Sequence, residues 1–230
     1  MKTFMKATSV LAMLAATPAF AWEPTKPVEI VVAAGAGGAS DQMARMMQAA
    51  IQKNNLMKQP MVVSLKGGAS GAEALMYMKG SDGDANKVLI AYSLIYMLPL
   101  SAKIPFNWRE LTPVSVIAMD QFVLWDNAEG PKTVKDFIAA AKASSSPFKM
   151  GGTGSKREDH VLTVFMEKKT GAKFSYLPYK SGGEAATQLV GKHTESNVNN
   201  PSENLEVWRA GQVRALCVFD KERISYKTKV

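Results

Sequence analysis

The stretch Val28–Ile51, VEIVVAAGAGGASDQMARMMQAAI, reads as a strand, a glycine turn and a helix in direct succession. Val28, Ile30, Val31 and Val32 form a β-branched run too apolar for a strand with one wet face, as expected in a parallel sheet covered on both sides. Gly35, Gly37 and Gly38 allow positive φ and leave no Cβ in the way of a close approach. Ser40 and Asp41 are placed as capping residues, and Met43, Met46, Met47, Ala50 and Ile51 share one helical face. The unpaired N–H groups and positive dipole end of that helix make the turn a candidate anion seat.

The type of anion is narrowed by what the turn lacks. A dinucleotide fingerprint requires a glycine where Ser40 stands and an acid near the end of the second strand, where Leu65 and Lys66 stand instead. A phosphate-binding loop needs Gly-Lys-Ser/Thr to close the turn, and that triplet is missing here. A tight connection with no ligand accounts for the glycines equally well from this segment alone.

Residues 1–21 carry Lys2 and Lys6, an apolar run from Ala7 to Phe20, and Ala19-Phe20-Ala21, the pattern of a signal peptide cleaved after Ala21. The expected location is periplasmic. Without Lys2 and Lys6 the 28 basic residues become 26 against 20 acidic ones, a formal charge of +6. These charges are dispersed, with no Lys/Arg block and no alternation of bases with aromatics, so no nucleic-acid partner is expected and small anions fit better. The single cysteine, Cys217, excludes an internal disulfide and lies in an apolar run suited to a buried thiol. His160 and His193 do not make a metal site, and no cofactor is expected.

The strand–turn–helix pattern recurs along the chain. Met61–Leu65 reads as a strand, Lys66 to Ala69 as a turn, and Ser70-Gly71-Ala72-Glu73 as a capping box opening a helix through Met78. Lys87 to Tyr92 is a third strand. After the prolines at 99, 105 and 113, Val114 to Ala118 and Phe122 to Trp125 read as the first strands of a second unit. A helix from Thr133 to Ala143 and a strand at Phe148 to Met150 lead into Gly151-Gly152-Thr153-Gly154-Ser155. The following helix places Val161, Leu162, Phe165 and Lys169 on one face. Phe174 to Leu177, the turn Pro178 to Gly183 and the helix Glu184 to Val190 repeat the unit. Ser196 to Asn199, a helix opened by Pro201 and closed by Gly211, and the strand Val213 to Phe219 complete it. Such alternation predicts an α/β fold whose ligands sit at the carboxyl ends of parallel strands. Gly68-Ala69-Ser70-Gly71 approaches a nucleophile elbow but has Ala72 where a glycine is required, so a secreted hydrolase-like α/β enzyme is the rival reading.

The segments KPVEIVVAAGAGGASDQMAR, GGASGAEA, GGTGSKREDH, PYKSGGEAATQLVGK, VNNPSE and GQVRAL occur in this order behind the signal sequence. Together they resemble the substrate-binding proteins of tripartite tricarboxylate transporters, the Bug-type periplasmic receptors. The resemblance implies a two-lobed fold of the periplasmic-binding-protein kind, each lobe a mostly parallel sheet flanked by helices, with the ligand cleft between lobes. It implies no catalysis, but capture of a small organic mono-, di- or tricarboxylate and delivery to the membrane components of such a transporter. The expected division is a first lobe over 22–112, a second over 113–211, and a return strand to the first lobe in 212–230, the rest of that lobe being absent through truncation. Carried over by position, the ligand-binding residues are Ala34, Gly35, Ala36, Gly37, Gly38, Ser40 and Asp41 in the first loop and Thr153, Gly154, Ser155 and Lys156 in the second. Gly68 and Ser70 would floor the cleft, Tyr92 and Ser93 would line the first lobe's wall, and Tyr179, Lys180, Gly182 and Asn199 the far side.

Overall fold

The computed structural model describes residues 22–225. The signal sequence predicted over residues 1–21 lies outside the described residues. Two sheets organise the chain. The first holds β1 (Val28–Val32), β2 (Met61–Leu65) and β3 (Lys87–Ile90) in the order β2-β1-β3, all parallel. β1 is central and Ile30, Val31 and Val32 are fully buried, which explains why that strand shows no polar alternation. Helix α1 (Ala39–Lys53) packs Ala44, Met43 and Met47 on one face of the sheet. Helices α2 (Ala72–Lys79) and α3 (Leu94–Ala102) cover the other face with Leu75, Leu94 and Leu98.

The second sheet runs β6-β5-β7-β4-β8, built from β4 (Val123–Asn127), β5 (Phe148–Thr153), β6 (Phe174–Tyr179), β7 (Ser196–Asn199) and β8 (Val213–Val218). β5 is parallel to β6 and β7, while β4 is antiparallel to both β7 and β8, so four of the five strands point one way. Helices α4 (Val134–Ala143), α5 (Glu158–Thr170), α6 (Gly182–Val190) and α7 (Pro201–Arg209) flank it. Phe137 from α4 stacks on Phe174 and meets Phe148 edge-on at the centre of one face, and Trp125 meets Trp208 on the other.

Several sequence expectations change here. The strand Val213 to Phe219, expected as a return to the first lobe, pairs with β4 and belongs to the second sheet. Residues 114–118, expected as a strand, form none, with Val114 and Val116 each 86% exposed. Ser40 and Asp41 lie within the first turn of α1; Gly38 is the N-cap and Asp41 Oδ2 accepts from Gly37 N at 2.9 Å. Met46 of the expected apolar face is 66% exposed because the sheet covers α1 along the line of Asp41 and Ala44. On α5 the buried line is Asp159, Thr163 and Met166, and Val161 and Phe165 remain half-exposed. Ser70 does not cap α2. It sits with Ala69 at positive φ in a 3-10 turn, Gly68–Gly71, and Glu73 reaches back to Gly68 N at 3.0 Å.

Candidate functional site

The loops leaving the carboxyl ends of β1 and β5 join the two lobes. Gly35 N donates to Lys180 O at 2.9 Å, and a Cβ on Gly35 would meet that carbonyl at 3.1 Å, so the first loop lies against the turn before α6. Ser155 N donates to Ser70 Oγ at 3.3 Å, linking the second loop to the first lobe. Beside this joint lies a cavity of about 960 Å³, lined from the first lobe by Ala34, Gly38, Ser40, β3 and Tyr92, and from the second by Thr153, Arg157, Glu158, Asp159, Asn200 and Glu203. Its volume suits a small-molecule site. Met43, Met47, Ile90 and residues 113–119 give the lining apolar surface, and one group of charged side chains in it surrounds Arg157.

Arg157 is the centre of that group. It is 6% exposed, its Nη1 donates to Ala33 O at 3.5 Å, and its Nη2 donates to the Tyr92 hydroxyl. Its Nε lies 3.5 Å from Glu158 Oε2, whose other oxygen accepts from Ser93 Oγ. Burial opposes the Arg157 charge, but Tyr92, Glu158 and Asp159 around it hold its pKa above the ordinary value. Asp159 accepts from Thr153 N, and burial, reinforced by the nearby Glu203 charge, raises its pKa well above the usual carboxylate range. Desolvation likewise raises Asp120, which accepts from Asn200 Nδ2 at 2.7 Å. Glu203 is pushed up to about 7 by desolvation, against the pull of its hydrogen bonds from Ala39 N at 2.9 Å and Asn200 N at 3.0 Å.

Of the residues expected from the sequence, Ala34, Gly38, Ser40, Tyr92 and Thr153 line the cavity. The hydroxyls of Ser40 and Thr153 make no hydrogen bond within the described residues, and a hydroxyl can both donate and accept. Other expected residues hold the loops in place, mostly by bonds within the second lobe. Gly37 and Gly154 take φ of +77° and +64°. Gly154 N donates to Tyr179 O at 2.9 Å, and Lys180 N donates to Glu184 Oε2 at 3.0 Å. Gly182 O accepts from Asn199 Nδ2 at 2.8 Å, and Lys156 Nζ donates to Ser101 O at 3.4 Å. Ala36 is exposed, Asp41 pairs with Arg45 at 2.8 Å, Ser93 serves Glu158, and Gly68 serves Glu73. The acidic part of the cavity lining was not anticipated. Its signals in the sequence were the run Arg157-Glu158-Asp159 at a helix start and the Glu203 that follows Asn200-Pro201-Ser202.

Around Arg157 this arrangement offers hydrogen bonds, one buried cation and the carboxyl groups of Asp120, Glu158, Asp159 and Glu203, with no grouping of His, Cys, Asp and Glu fit to hold a metal among the described residues. Residues 43–229 match the family model described as the tripartite tricarboxylate transporter family receptor. The chain belongs to this family. A Cupriavidus necator protein is 31% identical over 217 residues, covering 91% of this chain and 65% of its own length. The Bordetella pertussis protein BugT is 30% identical over 213 residues, covering 88% of this chain and 63% of its own. The chain thus spans slightly less than two thirds of these curated relatives. Among solved structures, one described as a periplasmic transporter superposes with a TM-score of 0.80 at 26% identity, covering 87% of this chain and 68% of the other. A ligand-free solute-binding protein of this family from Polaromonas gives 0.59 at 28% identity, covering 87% and 69%. The α/β fold of this receptor-family chain is that of periplasmic binding proteins, of which it covers a part.

Proposed function

We propose that this chain is a periplasmic substrate-binding receptor, exported through residues 1–21, that captures a small organic carboxylate and hands it to the membrane components of a tripartite tricarboxylate-type transporter. The observation that carries the proposal is the cavity of about 960 Å³ walled by both lobes, with Ser40 and Thr153 in its lining beside the start of α1. A carboxylate there accepts from both hydroxyls and lies near the positive end of α1, a helix terminus contributing roughly 0.3–1 kcal/mol. Micromolar capture needs about 8 kcal/mol in total. Contacts from both lobes are therefore required, and a ligand that recruits both favours their closed arrangement, the state a transporter reads. The binding cycle requires no cofactor and no bond making.

The test is a thermal-denaturation screen of Trp22–Val230 against mono-, di- and tricarboxylates with their amides as controls. Adipate and malate are included because two Rhodopseudomonas palustris proteins sharing the fold were solved with them. A receptor shows a raised midpoint with an acid and not with its amide, equivalent to about 2.7 kcal/mol at a hundredfold excess over Kd. It also returns that acid chemically unchanged by NMR. A cooperative transition indifferent to every acid refutes the proposal.

A further inference from the structure

The Glu203 carboxylate stands where three helix N-termini converge. Oε1 accepts from Ala39 N at 2.9 Å, the first residue of α1 in the first lobe, and Oε2 accepts from Asn200 N at 3.0 Å, at the start of α7 in the second. Helix α6 begins at Gly182, where an added Cβ would lie 2.1 Å from both the carboxyl carbon and Oε2 of Glu203. Only a glycine leaves room for the carboxylate at that helix start. Gly38, the N-cap of α1, comes within ordinary contact, its Cβ position 3.6 Å from Oε1.

Capping of α7 explains only half of this geometry. The bond from Asn200 N closes a local capping box, as a Glu three residues into a helix commonly does. The bond from Ala39 N spans 164 residues of sequence and crosses from one lobe to the other. The location is also the one that helix dipoles and unpaired N–H groups mark for an anion. That position, which the sequence reading gives to a ligand carboxylate, is filled by the chain itself.

We propose that Glu203 is a positioning residue: an internal carboxylate that occupies the joint anion seat of α1, α6 and α7, fixes the Gly35–Asp41 turn against the second lobe, and leaves the ligand to bind beside it at Ser40 and Thr153. The functional half of this assignment rests on the receptor reading above. The structural half does not.

Chemical rescue separates the two. Glu203→Ala empties the seat, so its thermal midpoint falls by on the order of 5 °C. Added formate or acetate restores part of that loss, formamide restores none, and the parent protein responds to neither. A lowered midpoint indifferent to formate overturns the proposal, as does an equal response in the parent. Should Glu203→Ala not fold, Glu203→Gln decides: its amide accepts from one N–H but turns its own NH₂ towards the other. That variant has a lower midpoint than the parent and no formate response, and parental stability in it overturns the assignment. With a carboxylate found in the screen, formate also raises the affinity of Glu203→Ala for that ligand, which a merely structural helix cap would not produce. A parent that binds no acid refutes the receptor reading alone, because the formate effect on the midpoint still reports on Glu203.

Discussion

At the scale of single residues, the joint between lobes is built from glycines whose missing side chains are occupied by something else. Gly182 illustrates this most sharply, since its backbone φ is not in the left-handed region and the constraint is purely one of space. Gly182→Ala forces the Glu203 carboxylate to move off Ala39 and Asn200 and is expected to cost about 1–3 kcal/mol in denaturant unfolding. Gly80, at the end of α2 with φ −74° and no atom nearer than 3.6 Å to an added Cβ, is the internal control. Gly80→Ala should be neutral or stabilise by about 0.4–1 kcal/mol, through the lower entropy of the unfolded chain. Equal effects at the two sites would show that the seat around Glu203 can yield without cost.

Elements were legible where sequence-local chemistry decides them. Thr133 caps α4 by accepting from Asp136 N at 3.1 Å, and Phe137 and Ala141 on its inner face are buried. Thr133→Ala should therefore cost about 1 kcal/mol. Because α4 adds no residue to the cavity lining, ligand affinity should stay at the parent value in an isothermal titration, and a parallel loss of affinity would contradict this separation. β1, β2 and β7 and the Pro201 start of α7 were equally readable. α3 was not, because Pro99 lies inside it and removes a helical donor; burial of Leu94 and Leu98 under the first sheet holds the helix nonetheless. The segment at 114–118 has strand composition but no partner strand, and composition alone does not supply one. For the site, glycine turns and hydroxyls were visible from their spacing. The acidic part was not, since Asp120, Asp159 and Glu203 come together only through the packing of three separate segments.

Taken as a whole, the molecule keeps several carboxyl groups away from water, and this sets its response to pH. Asp159 and Asp120 are raised by desolvation, Glu203 reaches about 7, and Asp126, 3% exposed on β4, is raised by desolvation to about 6. Each of these binds its proton more tightly folded than unfolded, where the ordinary values are 3.8 for Asp and 4.5 for Glu. The folded state therefore holds more protons on these four carboxyls than the unfolded state from about pH 4 to pH 7, and they make stability fall as pH rises through that window; His160, lowered from 6.5 by desolvation, opposes them only in part near its upper end. Asp84 and Asp220, lowered chiefly by hydrogen bonds from Asn86 and Gln121, act in the opposite sense only below about pH 4. Asp126 allows this to be tested away from the cavity, because its Oδ2 has no hydrogen-bond partner among the described residues and Arg214 is its nearby cation. Asp126→Asn removes the titrating group while keeping the side chain's shape. In urea unfolding, the parent should be less stable at pH 8 than at pH 5, and the variant should show a smaller difference, its advantage over the parent growing with pH. A parent whose stability rises from pH 5 to pH 8 would mean that these carboxylates find compensating partners once ionised.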